Sequence, residues 1–194
     1  MISSNMSSNI MIVGVGGQGT LLASRVIGTL AVDTGFDVKV SEVHGMSQRG
    51  GSVVTYVRFG EKVYSPIIDK GEADFIVSFE KIEAARYLPY LAKDGKIIVN
   101  SNETMPVSVI TGAAEYPHDV LDELSAAGVH VDALNALELA QKAGSQKAVN
   151  IVLLGRLAKH FDIPKESWIA AIEKTVNPKF IEMNKTAFEL GYSI

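Results

Sequence analysis

Short apolar runs alternate with longer segments in which apolar residues recur at helical spacing, from Ile10 almost to the end of the chain. Short apolar runs bounded by turn residues are typical of buried strands, whereas apolar residues at every third or fourth position indicate amphipathic helices. Alternation of the two favours helices packed on both faces of a sheet. We therefore predict an α/β fold: a three-layer sandwich with a mostly parallel sheet, a Rossmann-like start and a helical C-terminal third.

The same patterns predict the individual elements. Strands are predicted over 10–13, 38–43, 52–59, 74–79, 96–100 and 130–134. Residues 63–68 form at best a short or edge strand, because a proline lies among them. Helices are predicted over 20–32, 80–91, 119–127, 135–143, 146–160, 165–176 and 178–190, and residues 101–112 are expected to be irregular. The first two strands and the helix between them predict a parallel, right-handed pairing. The helix at 146–160 is apolar on almost every face, which places it either in the core or at a subunit interface.

Composition and charge limit the class of protein. The chain has 194 residues, of which 47% are hydrophobic and 21% charged, which suits one domain with a substantial core. The polar segment 1–9 is predicted to be a flexible tail, and 10–194 a single domain. A net charge of −4 opposes nucleic-acid binding by bulk electrostatics. Because no apolar run approaches the ~18 residues that cross a bilayer, we expect a cytoplasmic protein that binds neither nucleic acid nor membrane.

The first glycine-bearing stretch follows the strand predicted at 10–13. Its spacing, Gly-x-Gly-x-x-Gly over 14–19, matches the letters of the dinucleotide fingerprint. Glycine permits a tight turn and close approach of a ligand, and the free N–H groups of the following helix favour an anion such as a phosphate. The alternative is a first strand packed on a first helix with no ligand. The candidate binding residues are Gly14, Gly16, Gly17, Gln18 and Gly19.

A second glycine-bearing loop follows the strand predicted over 38–43. It is rich in polar side chains, and the guanidinium of Arg49 is the strongest candidate because it grips a phosphate or carboxylate with two parallel hydrogen bonds. Both loops follow strands, so both should open on the same edge of the sheet. Glu42, near the end of the strand, is either a ribose-binding carboxylate or a residue that simply faces water. The second loop either binds such an anion or is an ordered loop at a protein interface. The candidate binding residues are His44, Ser47, Gln48, Arg49, Gly50 and Gly51.

No self-sufficient catalytic group or metal site is predicted. The chain has no cysteine, which excludes disulfides, a thiol nucleophile and cysteine-ligated iron–sulfur clusters supplied by this chain. Its four histidines stand apart without metal-ligand spacing, and nothing marks a serine–histidine–acid triad. We therefore expect no catalytic residue and no metal ligand here.

The two loops together are similar to those of a known family. GVGGQG at 14–19, followed by VHGMSQRGGSV at 43–53, resembles the gamma-type domain of 2-oxoacid:ferredoxin oxidoreductases. The MSQRGG form most resembles the small (beta) subunit of the indolepyruvate branch. The resemblance continues in YSPII (64–68), GEADFIVSFEKIEAAR (71–86), NIVLLGRLAK (150–159) and KFIEMNKTAFELGY (179–192), and so covers nearly the whole chain.

The resemblance implies a subunit of an oxidoreductase, inactive on its own. The complete enzyme would oxidatively decarboxylate an aryl 2-oxoacid to an acyl-CoA and pass electrons to ferredoxin. Thiamine diphosphate, magnesium and iron–sulfur clusters would reside on a large partner subunit. This chain alone is expected to hold no cofactor, and the two glycine-bearing loops are a suitable place for part of coenzyme A in the complex. Ligand approach and subunit contact would both use such loops, so the role of each candidate residue stays open.

Three alternatives remain on sequence alone. The first is the pyruvate or 2-oxoglutarate branch of the same family. The second is a free-standing Rossmann oxidoreductase using NAD(P) or FAD. The lack of an evident substrate domain and of a proton donor in the sequence argues against it. The third is a structural or regulatory partner with no ligand of its own.

Overall fold

The computed structural model describes residues 7–44 and 51–194, which fold into one sheet flanked by helices. The strands in these ranges are β1 (Ser8–Val15), β2 (Asp37–His44), β3 (Ser52–Gly60), β4 (Ala73–Ser78), β5 (Leu91–Asn100) and β6 (His130–Leu134). The helices are α1 (Thr20–Asp33), α2 (Lys81–Tyr87), α3 (Val107–Ile110), α4 (Val120–Ala126), α5 (Ala136–Lys142), α6 (Val149–Ala158), α7 (Lys165–Thr175) and α8 (Ile181–Tyr192). This alternation confirms the predicted α/β class.

The strand order across the sheet is β2-β3-β1-β4-β5-β6. β3 runs antiparallel to both β1 and β2, and the other three pairings are parallel, so the sheet is mostly parallel as predicted. The predicted pairing of the first two strands is wrong. They point the same way, but β3 lies between them, with its partners on β1 running from Ser8↔Phe59 to Val15↔Ser52. A short connection favours antiparallel pairing of β2 with the next strand in the chain, which explains the insertion.

The first half of the chain departs from prediction at two further places. β1 begins at Ser8, inside the segment expected to be a tail. Residues 63–68 form no strand, since Pro66 lacks the N–H that a ladder needs. The segment is instead held against β3, where Nη1 of Arg58 donates to the carbonyl of Ile67 at 2.6 Å.

The helix predicted over 80–91 is shorter than expected. A 3-10 turn containing Pro89 ends it, because proline restricts the residue before it and cannot donate to the preceding turn. β5 then begins at Leu91, earlier than predicted, and passes Ala73 so closely that a Cβ on Gly95 would lie 2.8 Å from the Ala73 carbonyl oxygen. α3 forms within the segment expected to be irregular.

Two apolar cores lie on opposite faces of the sheet. Ile10 and Ile12 face the core shared with α1, α5, α6, α7 and α8, whereas Met11 and Val13 face the core under α2 and α4. Successive residues of a strand point to opposite faces, so one apolar run serves both cores. This arrangement confirms the three-layer sandwich and the helical C-terminal third. None of the helices in the described ranges has the length and apolarity needed to cross a membrane.

α6 lies in the core, which decides between the two places predicted for it. Its residues from Ile151 to Leu154 have no exposed surface. It crosses α8 at two glycines: a Cβ on Gly155 would lie 2.2 Å from the carbonyl oxygen of Phe188, and one on Gly191 would lie 2.0 Å from that of Val152. The absence of both side chains lets the two helix backbones touch.

Replacing Gly155 with Ala should lower the free energy of unfolding by about 3 kcal/mol, because the new methyl group meets backbone that cannot rotate away. Gly28→Ala in α1 is the matched control, since the nearest atom to a Cβ there is 3.9 Å away. That change should raise stability by up to about 1 kcal/mol through helix propensity. Equilibrium urea unfolding measures both variants. Equal stability of the two would contradict the close helix crossing.

Candidate functional site

The glycine loop, residues 14–19, turns the chain from β1 into α1. Gly17 and Gly19 have φ values of +98° and +90°, which side-chain-bearing residues rarely adopt. At Gly14 the constraint is space, because a Cβ would lie 2.6 Å from Oε1 of Gln18. That same oxygen accepts a hydrogen bond from the backbone N–H of Val15 at 2.8 Å. The loop is therefore a tight turn held from inside by its own glutamine.

The first turn of α1 opens at the end of this loop. Gly19 occupies the N-cap position, and no side chain in the described ranges caps the helix. The first turn also carries no acidic residue. Uncapped N–H groups at a helix N-terminus carry partial positive charge, so this position favours an anionic ligand.

The two glycine-bearing loops meet where the structure describes them. The backbone N–H of Gly16 donates to the carbonyl of Gly51 at 2.9 Å. β2 ends beside the start of β3, with His44 opposite Val53, so both loops open on one edge of the sheet as expected. Four candidate residues lie outside the described ranges, and their roles stay predictions: Ser47, Gln48, Arg49 and Gly50.

Two clefts flank the glycine loop. The smaller, of about 370 Å³, lies on the side of β2 and is lined in part by Gly17, Thr20 and Glu42. The larger, of about 570 Å³, lies on the side of β4 and β5 and is lined in part by Gly19 and Phe79. The connection from β1 leads to the β2 side of the sheet, whereas the connection from β4 leads to β5. The larger cleft therefore lies at the point where the winding reverses, which is where open α/β sheets bind ligands.

The charges of the two clefts differ. Glu42 is exposed and gives the smaller cleft a carboxylate. The larger cleft contains Glu103, but that carboxylate accepts from Nζ of Lys81 at 2.8 Å and contacts His118. These two bonds, that of Lys81 foremost, hold the pKa of Glu103 below its usual value, so its charge is present and partnered at neutral pH. Lys147 adds a further cation, so the larger cleft suits an anion better.

Sequence reasoning missed three residues of the larger cleft. Asn150 is buried, and its Nδ2 donates to the carbonyl of Gly19 at 3.2 Å, which ties α6 to the glycine loop. Asn100, at the end of β5, donates to the carbonyl of Phe79 and accepts from the N–H of Ala136. Lys147 stands before α6. The sequence carried only a weak indication of the two asparagines: one stands inside an otherwise apolar helix, and the other stands at the end of a buried strand.

Comparison with known proteins identifies the family. The model of the pyruvate ferredoxin/flavodoxin oxidoreductase family matches residues 9–194. The chain belongs to this family. Among similar members, indolepyruvate oxidoreductase subunit IorB of Thermococcus kodakarensis is 45% identical over 190 residues, covering 94% of this chain and 93% of the relative. The protein of the same name from Archaeoglobus fulgidus is 40% identical over 192 residues, covering 97% and 95%. The predicted family is confirmed.

A solved structure places the fold within a longer chain. One such structure is the 2-oxoglutarate:ferredoxin oxidoreductase of Magnetococcus marinus, solved with 2-oxoglutarate, coenzyme A and succinyl-CoA bound. Its TM-score to the present chain is 0.72, at 18% sequence identity. The match covers 96% of this chain and 30% of the other. At that identity the likeness concerns the fold.

Gly19→Ala should destabilise the protein more than Gly17→Ala. Both changes place an alanine at positive φ, which costs about 1 kcal/mol. A Cβ at Gly17 meets nothing within 4 Å, whereas one at Gly19 lies 2.8 Å from Nδ2 of Asn150 and displaces its hydrogen bond, costing about 1 kcal/mol more. Urea unfolding measures the difference.

The control is the same pair of changes with Asn150→Ala already present. Without the amide in the way, the two glycine variants should lose equal stability, and a difference that persists would show that Asn150 is not its cause.

Proposed function

We propose that this chain is the small subunit of an indolepyruvate-type 2-oxoacid:ferredoxin oxidoreductase. The enzyme would oxidatively decarboxylate an aryl 2-oxoacid, form an acyl-CoA and pass electrons to ferredoxin. The observation that carries the proposal is the nearly full-length identity of 45% to a protein named indolepyruvate oxidoreductase subunit. The MSQRGG form of the second loop resembles this branch more than the pyruvate or 2-oxoglutarate branch.

The catalytic cofactors belong to a partner in this proposal. Clusters need thiolate ligands, and this chain has no cysteine to supply them. A large cytoplasmic subunit would carry the iron–sulfur clusters together with thiamine diphosphate and magnesium, and ferredoxin would dock on the complex. The small subunit would contribute no catalytic residue.

Coenzyme A would contact the edge where the two loops meet. When bound, it supplies the thiol that accepts the acyl group. A Cβ at Gly17 would meet nothing within 4 Å, and this space leaves room for a phosphate to approach the uncapped start of α1, where the helix dipole favours its charge. Lys147 would add a countercharge from the larger cleft, and Arg49 a second one from the other loop.

Anaerobic reconstitution with the large subunit of the same host tests the proposal. The measurement is coenzyme A-dependent reduction of ferredoxin with indolepyruvate, pyruvate and 2-oxoglutarate. We expect activity with indolepyruvate only when both subunits are present. Activity with another oxoacid would keep the family and overturn the branch. Full activity of the large subunit alone would make this chain a structural or regulatory partner, and saturable binding of NADH by this chain would favour a Rossmann oxidoreductase.

Arg49→Ala should raise the KM for coenzyme A about tenfold in the reconstituted complex, because a bidentate bond to a phosphate is lost. Arg25→Ala, on the exposed side of α1, is the matched control that removes the same charge without changing that KM. Steady-state kinetics and gel filtration of the complex provide the readouts. Unchanged coenzyme A dependence together with unchanged assembly would exclude both roles considered for Arg49.

A further inference from the structure

The start of α2 carries a buried carboxylate that the proposed function does not use. Glu83 is 4% exposed, although glutamate is rarely buried without partners. It is not needed to cap its own helix, because Glu80 does so by accepting from the backbone N–H groups of Ile82 and Glu83. The side chain of Glu83 instead joins Arg86 of its own helix to a residue of the sheet.

Glu83 accepts from two donors. Oε2 accepts from the hydroxyl of Ser52 at 2.5 Å, and Oε1 accepts from Nε of Arg86 at 3.0 Å. The hydroxyl of Tyr87 lies 3.3 Å from that of Ser52 and completes the cluster. Ser52 is exposed and lies 31 positions away in the chain, so this bond joins α2 to a distant segment.

Ser52 begins β3 directly beside the glycine loop. It stands opposite Val15, the last residue of β1. The residue before it, Gly51, accepts the hydrogen bond from the N–H of Gly16. By holding Ser52, the buried carboxylate of Glu83 therefore fixes the point at which the chain enters β3. That point is one residue from the contact between the two loops.

We propose that Glu83 is a positioning residue: by holding the Ser52 hydroxyl it keeps the Gly51 carbonyl on the Gly16 N–H, and so keeps the glycine loop in its binding shape. This role rests on the proposed function for its effect on coenzyme A, whereas its effect on Gly16 does not. Bonds to charged acceptors are the stronger kind, which suits a contact that must hold a loop boundary in place.

Amide hydrogen exchange of Gly16, followed by NMR on the full chain, tests the positioning directly. Ser52→Ala should speed the exchange of this amide about tenfold, because its acceptor is no longer held in place. Glu83→Gln should speed it as well, while Ser52→Thr, which keeps the hydroxyl, should restore the original rate. An unchanged rate in Ser52→Ala would overturn the proposal.

Arg86→Gln is the matched control. It removes the other partner of the same carboxylate and leaves the Ser52 bond in place. Its Gly16 exchange should equal that of the unaltered protein. Acceleration as large as that in Ser52→Ala would mean that α2 acts by general stabilisation, which would overturn the specific role of Ser52 and Glu83.

Kinetics of the reconstituted complex test the functional consequence. Ser52→Ala should raise the KM for coenzyme A about threefold to tenfold and leave kcat at saturating coenzyme A unchanged, and Ser52→Thr should restore the KM. An unchanged KM together with faster Gly16 exchange would overturn the proposed contact between coenzyme A and these loops, whereas an unchanged KM together with unchanged Gly16 exchange would overturn the inference. A complex without coenzyme A-dependent activity would instead overturn the proposed function, and Gly16 exchange would still decide the positioning.

Discussion

A single backbone hydrogen bond, from the N–H of Gly16 to the carbonyl of Gly51, joins the two glycine-bearing loops. It exists because β3 lies between β1 and β2 and pairs with all of β1. The inserted strand brings the end of one loop beside the start of the other. The two clefts flank the loop that this bond holds, and the uncapped start of α1 follows that loop. The bond from Ser52 to Glu83 lies one residue away from it.

The sequence predicted the layers of the fold well and the order of its strands less well. Apolar runs such as Ile10–Val13 identify buried strands because both faces of the sheet are covered, and the spacing of apolar residues identifies the helices. Strand order depends on which strands pair with each other, and the spacing of apolar residues carries no information about that pairing. β2 was expected beside β1, but β2 pairs with β3, which follows it directly in the chain, and β3 lies between β2 and β1. Pro89 sets a helix boundary that the apolar pattern alone placed wrongly, and Pro66 lies in a segment that forms no strand at all.

The candidate site was predicted in part. The glycines of residues 14–19 were recognisable because a strand, a glycine turn and a helix form a continuous local signal. The residues that support this loop come from distant parts of the chain, and only the fold brings them close. Asn150 reaches the Gly19 carbonyl from α6, and Glu83 reaches Ser52 from α2. Neither contact has a signature in local spacing.

The edge formed by the glycine loop is proposed to receive coenzyme A in the assembled enzyme. Hydrogen exchange of the purified complex, measured by mass spectrometry with and without coenzyme A, tests this most directly. We expect slower exchange in the peptide that spans Gly16 to Leu22, where the uncapped N–H groups of α1 lie. Unchanged exchange in that peptide, at coenzyme A concentrations that saturate turnover, would contradict it.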